Sequence, residues 1–593
     1  MNKIPAQKRT KKKSKPTEQQ LVQRAQKKEI RTLLQNIGFN RIPIDGKEFQ
    51  FKDRTSELDD IFVMENLVLL IEYTIGKPGD HLKCKKIFYD KVNESRLDFV
   101  KFMLSNEKFA SFREYFKKNV EDKYSVNQIE VRILYCSKQD IKDEHKKLVN
   151  GVTFFDYYIV HYFKYLSKAI KRSARYEFFD FIGLDPKNFG DEIRCDGDTS
   201  SKKFCSQVLP EEKSYFNKGY KIVTFYISPQ ELLRRSYVLR REGWQGKNSA
   251  DFYQRMVDTG KIKKMRQYLS TEKRVFINNI ITTISEDKIK LYDDKNDVIL
   301  RQSDGNFRNP SPNNTRISIG KIEIEDSSKI IGIIDGQHRI YAYHEGDDIY
   351  ENNMKQLRTR QNLLVTGILF PADESQESRL KFEAQLFQEI NNNQTKINSY
   401  LQQEIDLIVS PFSSTAIGKR IIYGLNQNGP LENLLEQYSY QTDKIKTASI
   451  ISFGLKPLIK ISQVEKKDSI FRLWDNEEKN KLTKPDIDNI KLRDDYVAFC
   501  VQKINGIFRA FKESMDSEQW SPYNPKTHKG LLSITFVNGI LNTIRCMIEN
   551  TSSVMSYEEC KAKLKGINTF GFRDYKTSHY NRMGHDIYNK FLK

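Results

Sequence analysis

The apolar run Lys329-Ile-Ile-Gly-Ile-Ile334 stops abruptly at Asp335-Gly336, and Gln337 to Tyr343 resumes with helical character. A short run of β-branched residues fits a buried strand, and Asp-Gly breaks it. A strand, a glycine turn and a helix start must therefore follow one another over about fifteen residues. Free N–H groups at such a start favour an anion. Gly336 permits close approach, Arg339 can fork onto phosphate oxygens, and Asp335 can hold a metal or a water. Local pattern leaves two readings open: a phosphate-handling turn, or an ordinary strand-to-helix connection with a polar surface. His338 is a candidate general base, or a helix-start histidine bonded to backbone.

The rest of the chain sets this turn in a long, basic protein. Its 593 residues allow two to four domains. Its net charge of +21 favours a polyanion such as DNA or RNA, since neutralising phosphates releases counterions. The seven cysteines form no Cys-x-x-Cys pair, which argues for a reducing compartment and against a structural zinc. No run of 18 apolar residues occurs, so no membrane span or membrane partner is expected. The basic start lacks an apolar stretch, unlike a secretory signal, and the expected address is cytoplasmic and nucleoid-associated.

Along the chain, 1–17 reads as a basic disordered tail. Leu21, Ala25, Ile30, Leu33, Leu34 and Ile37 recur at helical spacing before a stop at Gly38. Leu58–Val63 and Leu67–Ile71 flank a Glu65-Asn66 turn, a hairpin. A basic helix over about 81–104, a strand at 129–135, a helix at 140–149 and a strand at 152–155 complete an α/β module ending near 172. The segment 173–217 reads as a linker, with a loop over 185–217. A second α/β unit covers 218–410, and 411–593 is mainly helical. Histidines 161, 528, 579 and 585 have no ligand-spaced partners, and no P-loop motif occurs.

Asp335-Gly336-Gln337-His338-Arg339 resembles the signature of the DGQHR family, ParB-like proteins that include the DndB-like members of DNA modification pathways. Tyr253-Gln254-Arg255, Lys261–Leu269, Phe276–Ile280 and Phe387–Gln394 agree with it in order. The resemblance implies a ParB/sulfiredoxin-like α+β domain over 218–410 that binds a nucleoside triphosphate or DNA. It carries over Asp335, Gly336, Gln337, His338 and Arg339 as phosphate-binding residues, with Gln254, Arg255, Asn391 and Gln394 beside them. ParB-like relatives with such a signature hydrolyse triphosphates, whereas DndB-like members are associated with DNA binding and regulation.

A second constellation lies upstream. Asp59 enters one hairpin strand and Glu72 closes the other, so the two carboxylates can share one divalent ion, Mg2+ or Mn2+. Ile37-Gly38-Phe39, Glu57-Leu58-Asp59 and Glu72-Tyr73-Thr74 resemble the PD-(D/E)xK restriction-endonuclease fold over 18–172. That resemblance implies a metal-dependent endonuclease with Asp59, Glu72, Glu57 and a lysine as its catalytic set. Thr74 stands in the lysine slot, and Lys77, or Lys83, Lys85 or Lys86 on the next helix, is the expected replacement. Three readings remain: a working nuclease with a relocated lysine, a degenerate nuclease fold kept for DNA binding, and unrelated α/β structure. The expectation is a DNA-directed protein of phage defence or DNA modification, working with other proteins of such a system. It is either an endonuclease coupled to a nucleotide- or DNA-binding domain, a non-catalytic DndB-like regulator or accessory subunit, or a ParB-like NTPase with a degenerate nuclease module.

Overall fold

A computed structural model describes residues 17–593 apart from 45, 47, 140, 186–188, 190–201, 210–218, 239–256, 300–316, 393–398, 438–440, 442, 463–465, 485–486 and 526. The chain is mixed α/β, with helix its commonest element. It divides into two compact units. The first holds the described residues up to Tyr237 together with Val257–Ala372, and the second holds Val238 and Asp373–Lys593. The helix Gln376–Asn392, placed by sequence in the segment 218–410, thus belongs to the second unit.

The first unit starts with helix α1 (Glu18–Ile37), which Thr17 caps with a reciprocal Gln20 contact and Gly38 ends at φ +117°. Ile30, Leu33, Leu34 and Ile37 are buried, whereas Leu21 and Ala25 at the start of the stripe are exposed. Strands β1 (Asn40–Ile42), β2 (Phe49–Phe51), β3 (Arg54–Ser56), β4 (Asp60–Met64), β5 (Leu67–Thr74), β6 (Glu130–Ser137) and β7 (Val152–Phe155) follow. Five of them form a sheet ordered β1-β4-β5-β6-β7, and β2-β3 is a separate hairpin. The β4–β5 hairpin turns at Glu65, φ +50°, as the Glu65-Asn66 signal predicts. The β5–β6 and β6–β7 pairs are parallel, so crossover helices must cover the sheet.

The basic helix expected over 81–104 is two helices, α2 (Pro78–Glu94) and Arg96–Ser105, broken at Ser95 (φ −141°, ψ 54°). The break lets Phe88, Phe99 and Phe102 converge on Phe49 and Phe109, with centroid separations of 5.7 to 6.3 Å around Phe49 for Phe88, Phe99 and Phe102. Burying each such ring contributes roughly 1.5–3 kcal/mol, more than a continued helical hydrogen bond offers. The helix expected at 140–149 is one turn, Asp143–Lys146. The module also runs past residue 172: helix Arg175–Phe181 packs Phe178 on Phe39 and Phe155.

The same unit contains an eight-stranded sheet of β8 (Lys202–Leu209), β9 (Lys221–Ile227), β10 (Ser236–Val238), β11 (Ile280–Ser285), β12 (Ile289–Tyr292), β13 (Ser318–Ile324), β14 (Ile331–Asp335) and β15 (Leu363–Phe370). Its order is β10-β14-β11-β15-β9-β8-β13-β12; β11 and β15 run parallel, whereas β14–β11, β15–β9, β9–β8, β8–β13 and β13–β12 are antiparallel. The expected loop over 185–217 is therefore wrong at β8. Ser206 and Val208 alternate inward while Cys205 and Gln207 face out, a period-two pattern that the small, polar Ser206 disguises. The second unit is helical, its core built on the helices Ser414–Gln427, Ile490–Glu513 and Ile534–Thr551.

Candidate functional site

At the open end of the β4–β5 hairpin the register pairs Asp60 with Ile71, which sets Asp59 opposite Glu72. Glu72 lies on the face of β5 that carries Val68 and Leu70, toward α2, and is 2% exposed. Burial pushes its carboxyl up to about 8, with the nearby Asp59 and Glu57 charges raising it and Lys85 lowering it. Lys85 Nζ donates to Glu72 Oε1 at 3.0 Å and to the Glu57 carbonyl at 2.7 Å. Asp59 accepts from the Tyr73 amide (2.8 Å) and from Lys27 Nζ of α1 (2.6 Å). Two residues with carboxylates, each with one lysine partner, thus stand opposite each other at the ends of neighbouring strands.

The lysine comes from the helix, not from the strand or its exit. Lys77 is exposed and serves as the N-cap residue of α2. Leu82, Lys85 and Tyr89 fall on one helical face, and Leu82 and Tyr89 are buried against the sheet. That spacing was a legible signal for choosing Lys85 among the four candidate lysines. Glu57 is exposed and contributes its carbonyl rather than its carboxylate. Thr74, in the lysine slot, is buried, and its carbonyl accepts from Gln26 Nε2 of α1, which also donates to the Cys136 carbonyl, both at 3.2 Å.

Sequence reasoning missed Asp60 and His81. Asp60 is fully buried, accepting from Arg31 (2.7 Å), Arg41 (2.6 Å) and the Tyr73 hydroxyl (2.9 Å). It ties α1 and β1 to the hairpin and faces away from the site. His81, one turn before Lys85, lies 3.1 Å from the Tyr135 hydroxyl, and burial lowers its pKa. An acid directly following Asp59 in an apolar strand was the available signal for Asp60.

The Asp335–Arg339 turn has the expected strand–turn–helix shape. β14 ends at Asp335, Gly336 adopts φ +102°, and a five-residue helix covers Gln337–Tyr341. A Cβ on Gly336 would stand 2.5 Å from Ile280 Cδ1. Arg339 Nη2 bonds Asp335 Oδ2 at 2.6 Å, and Gln337 is buried. His338 Nε2 accepts from the backbone N–H of Asp258 at 2.9 Å, while Asp258 caps the helix Thr259–Glu272. The lone pair a general base would use at that nitrogen is engaged in this contact. Arg266 of the capped helix, 1% exposed, donates to the carbonyls of Ala342 and His344. These motif residues join elements as much as they face outward. Asn391 bonds the Phe387 carbonyl within a helix of the second unit, and Gln254, Arg255 and Gln394 lie outside the described residues.

Among the described residues no three His, Cys, Asp or Glu side chains gather as a metal set. Asp59 and Glu72 still suit Mg2+ or Mn2+, because such ions take one or two carboxylates and fill the remaining positions with water and substrate phosphate oxygens. The buried Glu72 carboxyl is a group whose ionised form a dication would favour. Among the described residues no helix is long and apolar enough to cross a membrane. No family model, no curated protein and no solved structure matches this chain.

Proposed function

We propose that the chain is a DNA-directed protein whose Asp59–Glu72–Lys85 site cleaves phosphodiester bonds with Mg2+ or Mn2+, coupled to nucleotide or DNA binding at the Asp335–Arg339 turn. The service would be phage defence or DNA modification. The observation that carries the reading is Glu72, a carboxyl pushed up to about 8 with a second carboxylate and a lysine beside it. Perturbed acids with a specific charge partner concentrate where chemistry is done. Asp59 and Glu72 would hold the metal, which supplies Lewis acidity and a water of lowered pKa. Lys85 holds Glu72 in place and puts an ammonium where a phosphate oxygen gains charge, the duty Thr74 cannot perform. The net charge of +21 brings the polyanion to the site.

The test is nicking of supercoiled plasmid by the full chain with Mg2+ or Mn2+, compared with Asp59→Ala and Glu72→Ala. Cleavage unaffected by either substitution removes the assignment.

One observation favours a second reading, a non-catalytic DNA-binding regulator or accessory subunit. Both carboxylates already have lysine partners, Lys27 and Lys85, so each is neutralised without a metal. Salt-dependent DNA binding with no turnover in any divalent ion, and no Mn2+ binding by calorimetry, is its signature.

A further inference from the structure

Two contacts stand side by side between α2 and the sheet. The parallel register pairs Glu72 of β5 with Tyr135 of β6, so the two side chains leave neighbouring strands, about 4.8 Å apart, on the face that α2 covers. On α2, His81 and Lys85 are one turn apart and share a face, with Cβ atoms roughly 5–6 Å apart. Lys85 Nζ reaches Glu72 Oε1 at 3.0 Å, and His81 Nδ1 lies 3.1 Å from the Tyr135 hydroxyl. The imidazole is therefore the neighbour of the Lys85–Glu72 pair, and the charges of both Lys85 and Asp59 act on it.

The hydrogen bonds fix the tautomer. A phenol has one proton to give, and Tyr135 donates it to the Pro78 carbonyl at 3.4 Å. The phenol oxygen then accepts from His81, which makes Nδ1 the protonated nitrogen and leaves the lone pair on Nε2. Among the described residues Nε2 has no hydrogen-bond partner, and it is not sealed from solvent. Burial, then the Lys85 charge, lowers the pKa of the ring while Asp59 raises it, so the imidazole is neutral at pH 7. His338 differs, since its Nε2 is taken by a backbone N–H.

A neutral histidine with one nitrogen tied and the other open is the form a general base requires. We propose that His81 is the general base of phosphodiester cleavage at Asp59 and Glu72, with Tyr135 as the residue that positions it; this role rests on the cleavage reading of that site. A water proton passes to His81 Nε2 as the water oxygen bonds to phosphorus. The bond from phosphorus to the leaving oxygen breaks, and that oxygen keeps the electron pair and takes a proton from solvent.

Two measurements test the assignment. In the metal-free full chain with isotope-labelled histidine, nitrogen NMR near neutral pH reads the tautomer, and His81→Gln identifies the signal by its loss. The expected spectrum has hydrogen on Nδ1 and none on Nε2, and Tyr135→Phe should shift it toward the Nε2–H form. In plasmid nicking, His81→Gln should lose roughly a hundredfold or more at an unchanged melting temperature, and Tyr135→Phe should lose less. Imidazole added to His81→Ala should restore part of the rate, a rescue that a merely structural role would not give. An Nε2–H tautomer in the wild type overturns the proposal. So does nicking that needs Asp59 and Glu72 but survives His81→Gln, a result that leaves the cleavage reading standing. Plasmid left uncut by the wild type removes that reading and the base together.

Discussion

Replacing Glu72 by Gln should stabilise the first unit, and by an amount that grows with pH. The folded carboxyl titrates near 8 because it is buried, whereas in the unfolded chain it titrates near 4.5. For an acid raised in this way the folded state binds the extra proton. Its contribution is fully present below about pH 4.5 and is lost as pH rises to about 8. At 1.36 kcal/mol per pH unit, the wild type should lose about 3–4 kcal/mol relative to Glu72→Gln between pH 5 and pH 8. Glutamine matches the protonated acid in shape, so any lost Lys85 contact adds only an offset at low pH. Because Trp474 and Trp520 lie in the second unit, hydrogen exchange of the Leu67–Thr74 amides is the better probe. Protection in the variant relative to wild type should rise by roughly two to three orders of magnitude across that window. A ratio that stays flat from pH 5 to pH 8 would refute the reasoning, since it would mean that Glu72 is hydrated and titrates normally.

Three further outcomes follow from the same geometry. Lys85→Met should lower nicking by roughly a hundredfold or more, the loss typical of a removed charge stabiliser, while Lys77→Met leaves it nearly unchanged; equal losses would return the lysine role to the strand exit. Asp60→Asn strips the counter-charge from Arg31 and Arg41 and should cost about 3 kcal/mol, seen as a lower melting temperature, because both arginines are partly exposed and recover some hydration. Gly336→Ala should cost roughly 1–3 kcal/mol from its left-handed backbone and the clash with Ile280, and Ile280→Val in the same chain should recover part of that by removing the Cδ1 methyl.

Much of the first module was written in local pattern. Gly38 ends α1, Glu65-Asn66 turns the hairpin, and the Ile331–Ile334 run gives β14, because each depends on residues within one or two turns of chain. Period-two and helical spacing also place Asp59 and Glu72 on adjoining strand ends before any tertiary contact is known. The break at Ser95 and strand β8 were not legible in this way. Ser95 yields to a cluster of phenylalanines drawn from Phe49 to Phe109, and β8 is a strand because β9 and β13 supply its hydrogen-bonding partners.

The same division holds at the site. The sequence determined which residues can do phosphate chemistry: two acids at strand ends, four lysines within reach, and a glycine turn before Gln337. Helical spacing puts Lys85 on the face of α2 that carries Leu82 and Tyr89, but the contact with Glu72 itself depends on how that face packs on the sheet, which only the tertiary structure decided. It likewise decided that Glu72 is buried, and so titrates near 8, while Glu57 is exposed, and it bound His338 to the cap of a helix 80 residues away in the chain. A carboxyl's charge is a property of its type, but its pKa is set by solvent and neighbours, and those exist only once the chain has folded.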